Sequence, residues 1–142
     1  MKKIYIFLLI SFILIIFLLT LYTVTIARTP IISKLIKFDN DNIIYNVRNI
    51  SPVEYCCGKT EDNLQYRENN RWVYVKPKEE VSYQSTNLCL YGFGRGKYEF
   101  KINLIEKYGE LKSGEYRIEK IFDREEKGKN HITYKLYVYF DI

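Results

Sequence analysis

The first thirty residues constrain this chain more than any other feature, because they contain a run that has no use for water. From Ile4 to Ala27 there is no charged residue, and apart from the amphipathic Tyr5 and Tyr22 only Ser11, Thr20, Thr23 and Thr25 are polar. A helix of that length, at about 1.5 Å per residue, reaches about 36 Å and so spans a hydrocarbon core of about 30 Å with some tilt. The rival reading is a secretory leader, with Lys2 and Lys3 as its positive end and Thr25-Ile26-Ala27 as a small-residue cleavage site. A leader's apolar region usually holds about 7–15 residues, and this run exceeds that, so residues 1–28 are expected to be an uncleaved transmembrane anchor. No Cys lies near its end, which argues against lipid attachment there. Lys2 and Lys3 before the span compete with Arg28, Lys34 and Lys37 after it. A short basic N-terminus ahead of a first apolar segment usually stays in the cytoplasm, which places the C-terminal domain on the extracytoplasmic side of a single-pass cell-membrane protein.

The remaining residues form one domain. The chain has 142 residues, and domains cluster at about 100–200. Removing Lys2 and Lys3 from the 22 basic residues leaves 20 against 17 acidic ones, a net +3 spread along the sequence. A nucleic-acid surface needs a concentrated basic face, so no nucleic-acid partner is expected. One His, one Trp and one Met occur, which excludes a metal site with two histidines and leaves few acid–base pairs. No catalytic residue, cofactor or metal is expected.

Past Thr29-Pro30, residues 29–41 show no period and are expected to be a connector. From Asn42 the pattern is alternation at period two, the mark of half-buried strands. Ile43, Tyr45 and Val47 alternate with Ile44, Asn46 and Arg48; Tyr55 to Cys57 makes a short continuation; Leu64 and Tyr66 alternate with Gln65 and Arg67. Glu68-Asn69-Asn70-Arg71 is hairpin chemistry, with Trp72 to Val75 as the return strand and Pro77 as its end. Residues 81–91 are less regular. Tyr98, Phe100, Ile102 and Leu104 then share one face, and Tyr116, Ile118 and Phe122 another, interrupted at Lys120. Asp123 to Asn130 reads as a long hairpin tip, and Tyr134, Leu136, Val138, Phe140 and Ile142 as the buried face of the last strand. About seven short strands over residues 42–142, with frequent turns and no helical period, predict an all-β antiparallel Greek-key sandwich behind a single helix, the anchor.

Leu111-Lys112-Ser113-Gly114-Glu115-Tyr116 has the L-x-x-G-x-Y spacing of a tyrosine corner, in which the Tyr116 hydroxyl returns to the backbone of a chain crossing between sheets, Gly114 permits close approach and Leu111 fills the core end. Gly114, Tyr116 and Arg117, the closing run Tyr134 to Ile142, and the Asn69-Asn70-Arg71-Trp72-Val73-Tyr74-Val75 strand together resemble a bacterial immunoglobulin-like domain common in Gram-positive cell-envelope proteins. The resemblance covers nearly all of residues 42–142. It implies an Ig-like sandwich on the outer face of the membrane and no established activity. Trp72, as a third-strand Trp, is then expected in the sandwich core.

The antibody-type inter-sheet disulfide would place a Cys two residues after Tyr116, where Ile118 stands. In an oxidising compartment one of the adjacent Cys56 and Cys57 can instead bridge to Cys89; Cys57–Cys89 is the expected pair, against the alternative of three reduced, buried thiols. His131 lacks a second imidazole and reads as a surface residue. Asp123, Glu125 and Glu126 are interrupted by Lys127 and Lys129 and lack calcium-loop spacing. Gly92-Phe93-Gly94-Arg95-Gly96 neither ends in Lys-Ser/Thr nor opens a helix, so it is no phosphate loop; it reads as a flexible crossing. Tyr91, Phe93 and Arg95 are nonetheless the residue types of binding hot spots and are the candidate contacts for an envelope protein or cell-wall partner. Tyr137 and Tyr139, opposite the buried face, read as cross-strand packing or a ligand-facing stripe. The function expected is a membrane-anchored binding or structural module; the alternative is a small secreted inhibitor or ligand released from its leader.

Overall fold

The structure, a computed structural model, describes residues 2–38, 41–58, 62–78, 87–126 and 129–142, the side chains of 2–3, 125–126 and 129–131 excepted. The chain divides into two compact units, residues 1–30 and 31–142. The first is the helix α1, Lys2–Arg28. It is apolar on every side, its large side chains from Ile4 to Val24 are exposed, and it is long and apolar enough to cross a membrane. Its few hydroxyls need no water: Ser11 donates to the Phe7 carbonyl at 3.0 Å, Thr20 to Phe17 at 2.8 Å and Thr25 to Leu21 at 2.9 Å. Bonding of that kind, back to the preceding turn, is how Ser and Thr are tolerated in hydrocarbon.

The second unit holds β1 (Ile31–Phe38), β2 (Asn42–Asn49), β3 (Tyr55–Gly58), β4 (Asp62–Glu68), β5 (Arg71–Tyr74), β6 (Asn87–Leu90), β7 (Lys97–Asn103), α2 (Leu104–Tyr108), β8 (Glu115–Glu126) and β9 (Lys129–Asp141). One sheet has the order β1-β2-β7. In the other, β8 is central: β9 pairs along one side, and β4 and β3 succeed each other along the opposite side, with β5 beyond β4 and β6 beyond β3. Successive strands change sheet at β2–β3, β6–β7 and β7–β8, so the two layers are interleaved in sequence. Alternation along β2, β7, β8 and β9 sends Ile43, Tyr45, Val47, Phe100, Ile102, Tyr116, Ile118, Phe122, Leu136, Val138 and Phe140 into one core.

Four expectations change. Residues 31–38 are a strand rather than a connector: β1 pairs antiparallel with β2 from Ile31↔Asn49 to Phe38↔Ile43. As an edge strand with a register shift between Leu35 and Lys37, it fully buries only Ile31, and so it shows no period in sequence. The chain also contains a second helix, α2. Asn103 caps it by accepting from the Glu106 N–H at 3.0 Å, and Gly109 ends it at φ 85°; one turn is too short for a helical period to register. The expected long tip at 123–130 is mostly strand, since β8 and β9 stay paired to Glu126↔Lys129, through a register shift between Arg124 and Glu126; residues 127–128 lie outside the described ones, as do 81–86. Among the described residues the strands number nine. Finally, Lys120 is no interruption of β8. It points into the core with the apolar residues, 0% exposed, where its Nζ donates to the Gly58 carbonyl at 2.7 Å, pairs with Asp62 Oδ1 at 3.1 Å and lies 4.5 Å from the Phe100 ring centre.

The third sheet crossing ends at the Leu111–Tyr116 run. Tyr116 Oη donates to the Lys112 carbonyl at 2.7 Å, and Leu111 packs against the core. Gly114 sits at φ 155° with the Tyr66 ring where a Cβ would be, 2.7 Å away. It also exchanges backbone hydrogen bonds with Ile142, which ties the last strand to this corner. Tyr116→Phe leaves the Lys112 carbonyl without its phenol and is expected to lower stability by about 1 kcal/mol in urea-unfolding midpoints; an unchanged midpoint would contradict the latch.

Candidate binding surfaces

Cysteine placement follows from strand register. β3 and β6 are antiparallel, with Cys56 opposite Cys89 and Cys57 opposite Leu88. Side chains alternate across a sheet, so Cys57 faces the core and only Cys56 shares a face with Cys89. The disulfide is Cys56–Cys89, not Cys57–Cys89, and Cys57 stays a buried thiol. Glu54 lies beside the two sulfurs as the third potential metal ligand, but sulfurs joined to each other have no thiolate to offer a metal.

The glycine-rich segment is a fastened turn rather than a flexible crossing. Phe93 N–H donates to the Ser51 carbonyl at 2.7 Å, Gly94 N–H to Asn49 at 2.6 Å, and Gly96 N–H to Tyr91 at 3.2 Å. Asn49, fully buried, staples the other side through Nδ2 to the carbonyls of Val53 and Leu90, while its Oδ1 accepts from Ser51. A Cβ on Gly92 would stand 2.6 Å from the Pro52 backbone, so only glycine allows this approach. On the turn, Tyr91 and Phe93 are 62% and 67% exposed, Arg95 is exposed, and Phe93 holds φ 58°. A bulky residue in the left-handed region is costly unless its surroundings enforce it, and here the Asn49–Val53 staple does so.

The outward face of β5, β4, β8 and β9 is a second surface. Trp72 is opposite Arg67, Tyr74 opposite Gln65, Gln65 opposite Arg117, and Arg117 opposite Tyr139. Trp72 therefore leaves the core assignment: it lies half-buried on an edge strand, facing out, because the core side of β4 is taken by Leu64 and Tyr66. Arg117 is sandwiched between the rings of Trp72 and Tyr137, at 4.4 and 4.1 Å, and its Nε donates to Gln65 Oε1 at 2.7 Å. Trp72 meets Tyr139 edge-on at 5.8 Å. Alternation in β9 identifies Tyr137 and Tyr139 as outward. What sequence reasoning misses is Arg117 and Trp72 joining them, which depends on β4 lying between β5 and β8.

Beneath these rings lies Glu119, 2% exposed, accepting from Tyr74 Oη at 3.0 Å, Tyr137 Oη at 3.0 Å and Lys135 Nζ at 3.2 Å. Burial raises its pKa, but the hydrogen bonds from Tyr74, Tyr137 and Lys135 outweigh it and hold the carboxyl below its ordinary value. With a folded pKa below the unfolded one, Glu119 adds stability that is complete above the unfolded carboxylate range near about 4.3 and is lost as pH falls through the folded value. Glu119→Gln is therefore expected to flatten the acid limb of a stability–pH profile below about pH 4.5; an unaltered limb would contradict the network. The side chain of His131, and those of Glu125 and Glu126, lie outside the described residues.

Two interleaved sheets around a single core, closed by a tyrosine latch at a sheet crossing, define an immunoglobulin-like sandwich. The chain belongs to the bacterial Ig-like domain family, whose family model matches residues 32–140, a family that is typically non-catalytic. No curated protein matches the chain.

Proposed function

We propose that this protein is a membrane-anchored, extracytoplasmic Ig-like module that displays a preformed contact loop to a partner in the bacterial envelope. The observation that carries the reading is the presence, in one chain, of a 25-residue apolar helix from Ile4 to Arg28 and an Ig-like domain whose aromatic turn is stapled in a strained, exposed conformation. A rigid turn loses little entropy on binding, and exposed aromatics with Arg are the residues that dominate contact energies. The helix supplies retention: its exposed apolar side chains are stable in lipid and not in water.

The mature protein isolated from membranes is expected to retain residues 1–27 by intact mass, and protease added to intact cells is expected to degrade residues 31–142. Loss of the leader would convert the protein into the secreted inhibitor or ligand, and protection from protease would place the domain inside. A photo-crosslinker at Tyr91 is expected to capture an envelope component, with capture reduced at least tenfold by Phe93→Ser with Arg95→Ser. Unreduced capture would remove the loop from the binding role.

A further inference from the structure

The outer face of β5, β4, β8 and β9 carries a cation, Arg117, that no carboxylate among the described residues pairs with. Arg67 pairs with Glu115, and Lys135 with Glu119. Arg117 spends one N–H on Gln65, and among the described residues no carboxylate pairs with its guanidinium; Asp141, two residues beyond Tyr139, makes no ion pair with it. A guanidinium held between two rings, with no hydrogen bond from its Nη atoms to the described residues, is pre-oriented for a planar anion, because the fork matches a carboxylate bidentately and its rotamer freedom is already spent. The rings that hold it, Trp72 and Tyr137, are half-buried, and their neighbour Tyr139 is 56% exposed. Ring-to-ring distances of 5.8 Å from Trp72 to Tyr139 and 6.4 Å from Tyr137 to Tyr139, with 61° and 41° between the ring planes, make them one faceted aromatic platform.

We infer that this platform binds a carboxylate-bearing saccharide chain, with Arg117 taking the carboxylate and Trp72 and Tyr139 stacking on the sugar faces. The electron-rich ring faces attract the weakly positive C–H groups of a pyranose. Beside Trp72, at the β4–β5 turn, a polar depression of about 410 Å³ is lined by Arg67, Asn69, Asn70 and Glu115. Amides, a guanidinium and a carboxylate set side by side supply both donors and acceptors, as hydroxyl-rich rings require. Asn69 and Asn70 are fixed there at φ 48° and 62° by the two-residue hairpin turn. An acidic peptide would satisfy Arg117 but would leave this mixed depression and the ring faces without matching groups. The platform is a different face from the Tyr91–Gly96 turn, and saccharide binding there does not depend on the anchor.

Trp72 is the only tryptophan, so its fluorescence reports on this site alone. The full chain in detergent micelles is titrated with tetragalacturonate, with the neutral tetramer maltotetraose, and with polyglutamate of equal charge. Saturable quenching by tetragalacturonate is expected, at least tenfold tighter than either control. Arg117→Lys, which keeps the charge and loses the fork, is expected to weaken binding at least tenfold. Tyr139→Ala, on the exposed rim where folding is least affected, is expected to weaken it severalfold, and Lys101→Ser, on the exposed side of β7 in the other sheet, to leave it unchanged. No saturable signal, equal binding of the neutral tetramer or of polyglutamate, or full affinity in both Arg117→Lys and Tyr139→Ala would overturn the inference.

Discussion

Lys120→Met is expected to destabilise the Ig-like domain by about 3–5 kcal/mol, the range found when one member of a buried ion pair is removed. The substitution keeps the length of the side chain, so packing against Phe100 survives while the charge does not. Asp62 Oδ1 then loses its cation at 3.1 Å while the Tyr45 hydroxyl still donates to it at 2.9 Å, and the Gly58 carbonyl loses its donor. The same cluster pushes the Tyr45 phenol well above its ordinary pKa, through burial first and the Asp62 carboxylate second, so Tyr45 stays neutral and supplies a hydrogen bond but no charge to Asp62. Combining Lys120→Met with Asp62→Leu and Tyr45→Phe removes the ion pair and the phenol that donates to it together, and leaves the Lys107 and Tyr108 hydrogen bonds to the Asp62 backbone carbonyl in place. Such apolar replacements of buried pairs are often neutral or stabilising, so the triple variant is expected to recover most of the loss in urea-unfolding midpoints. A loss below about 1 kcal/mol for Lys120→Met would mean that the pair behaves as an exposed one.

Reduction of Cys56–Cys89, or Cys89→Ser, is expected to cost about 3–4 kcal/mol, because the bond closes a loop with a sequence separation of 33 and so restricts the unfolded chain. The local consequence falls on β6, an edge strand of four residues whose register pairs are all with β3. Leu90, buried at its end, ties that strand to the core and to Asn49, which staples the contact turn. Reduction is therefore expected to increase amide exchange at residues 87–96 before the rest of the domain. Cys57→Ser should leave the bond intact in non-reducing peptide maps, and recovery of a Cys57–Cys89 peptide from the unsubstituted chain would refute the register argument.

The parts of the fold legible in sequence are those where one strand face meets the core and the other meets water. Ile43-Tyr45-Val47, Phe100-Ile102-Leu104 and Leu136-Val138-Phe140 alternate because each belongs to a strand with that asymmetry. The asymmetry fails at an edge, which hides β1, and it misleads wherever a polar residue is paired inside, as at Lys120. The candidate surfaces divide in the same way. Tyr91, Phe93 and Arg95 can be singled out by residue type and their glycine setting, but the staple that turns a flexible segment into a rigid one comes from Asn49 and Ser51, forty residues upstream. Analogy with a third-strand tryptophan puts Trp72 inside, whereas its neighbours Arg67 and Arg117 on paired strands hold it on the outside.

By itself, the sequence determined the apolar span, the antiparallel strand pattern and the Leu111–Tyr116 corner, because each is written in residues close enough along the chain to act through local geometry. Only the tertiary structure decided which cysteine meets Cys89, where Lys120 finds its carboxylate, and that Arg117 lies between Trp72 and Tyr137. Those outcomes depend on the register and order of strands distant in sequence, and a shift of one residue in a strand would send every one of its side chains to the opposite face.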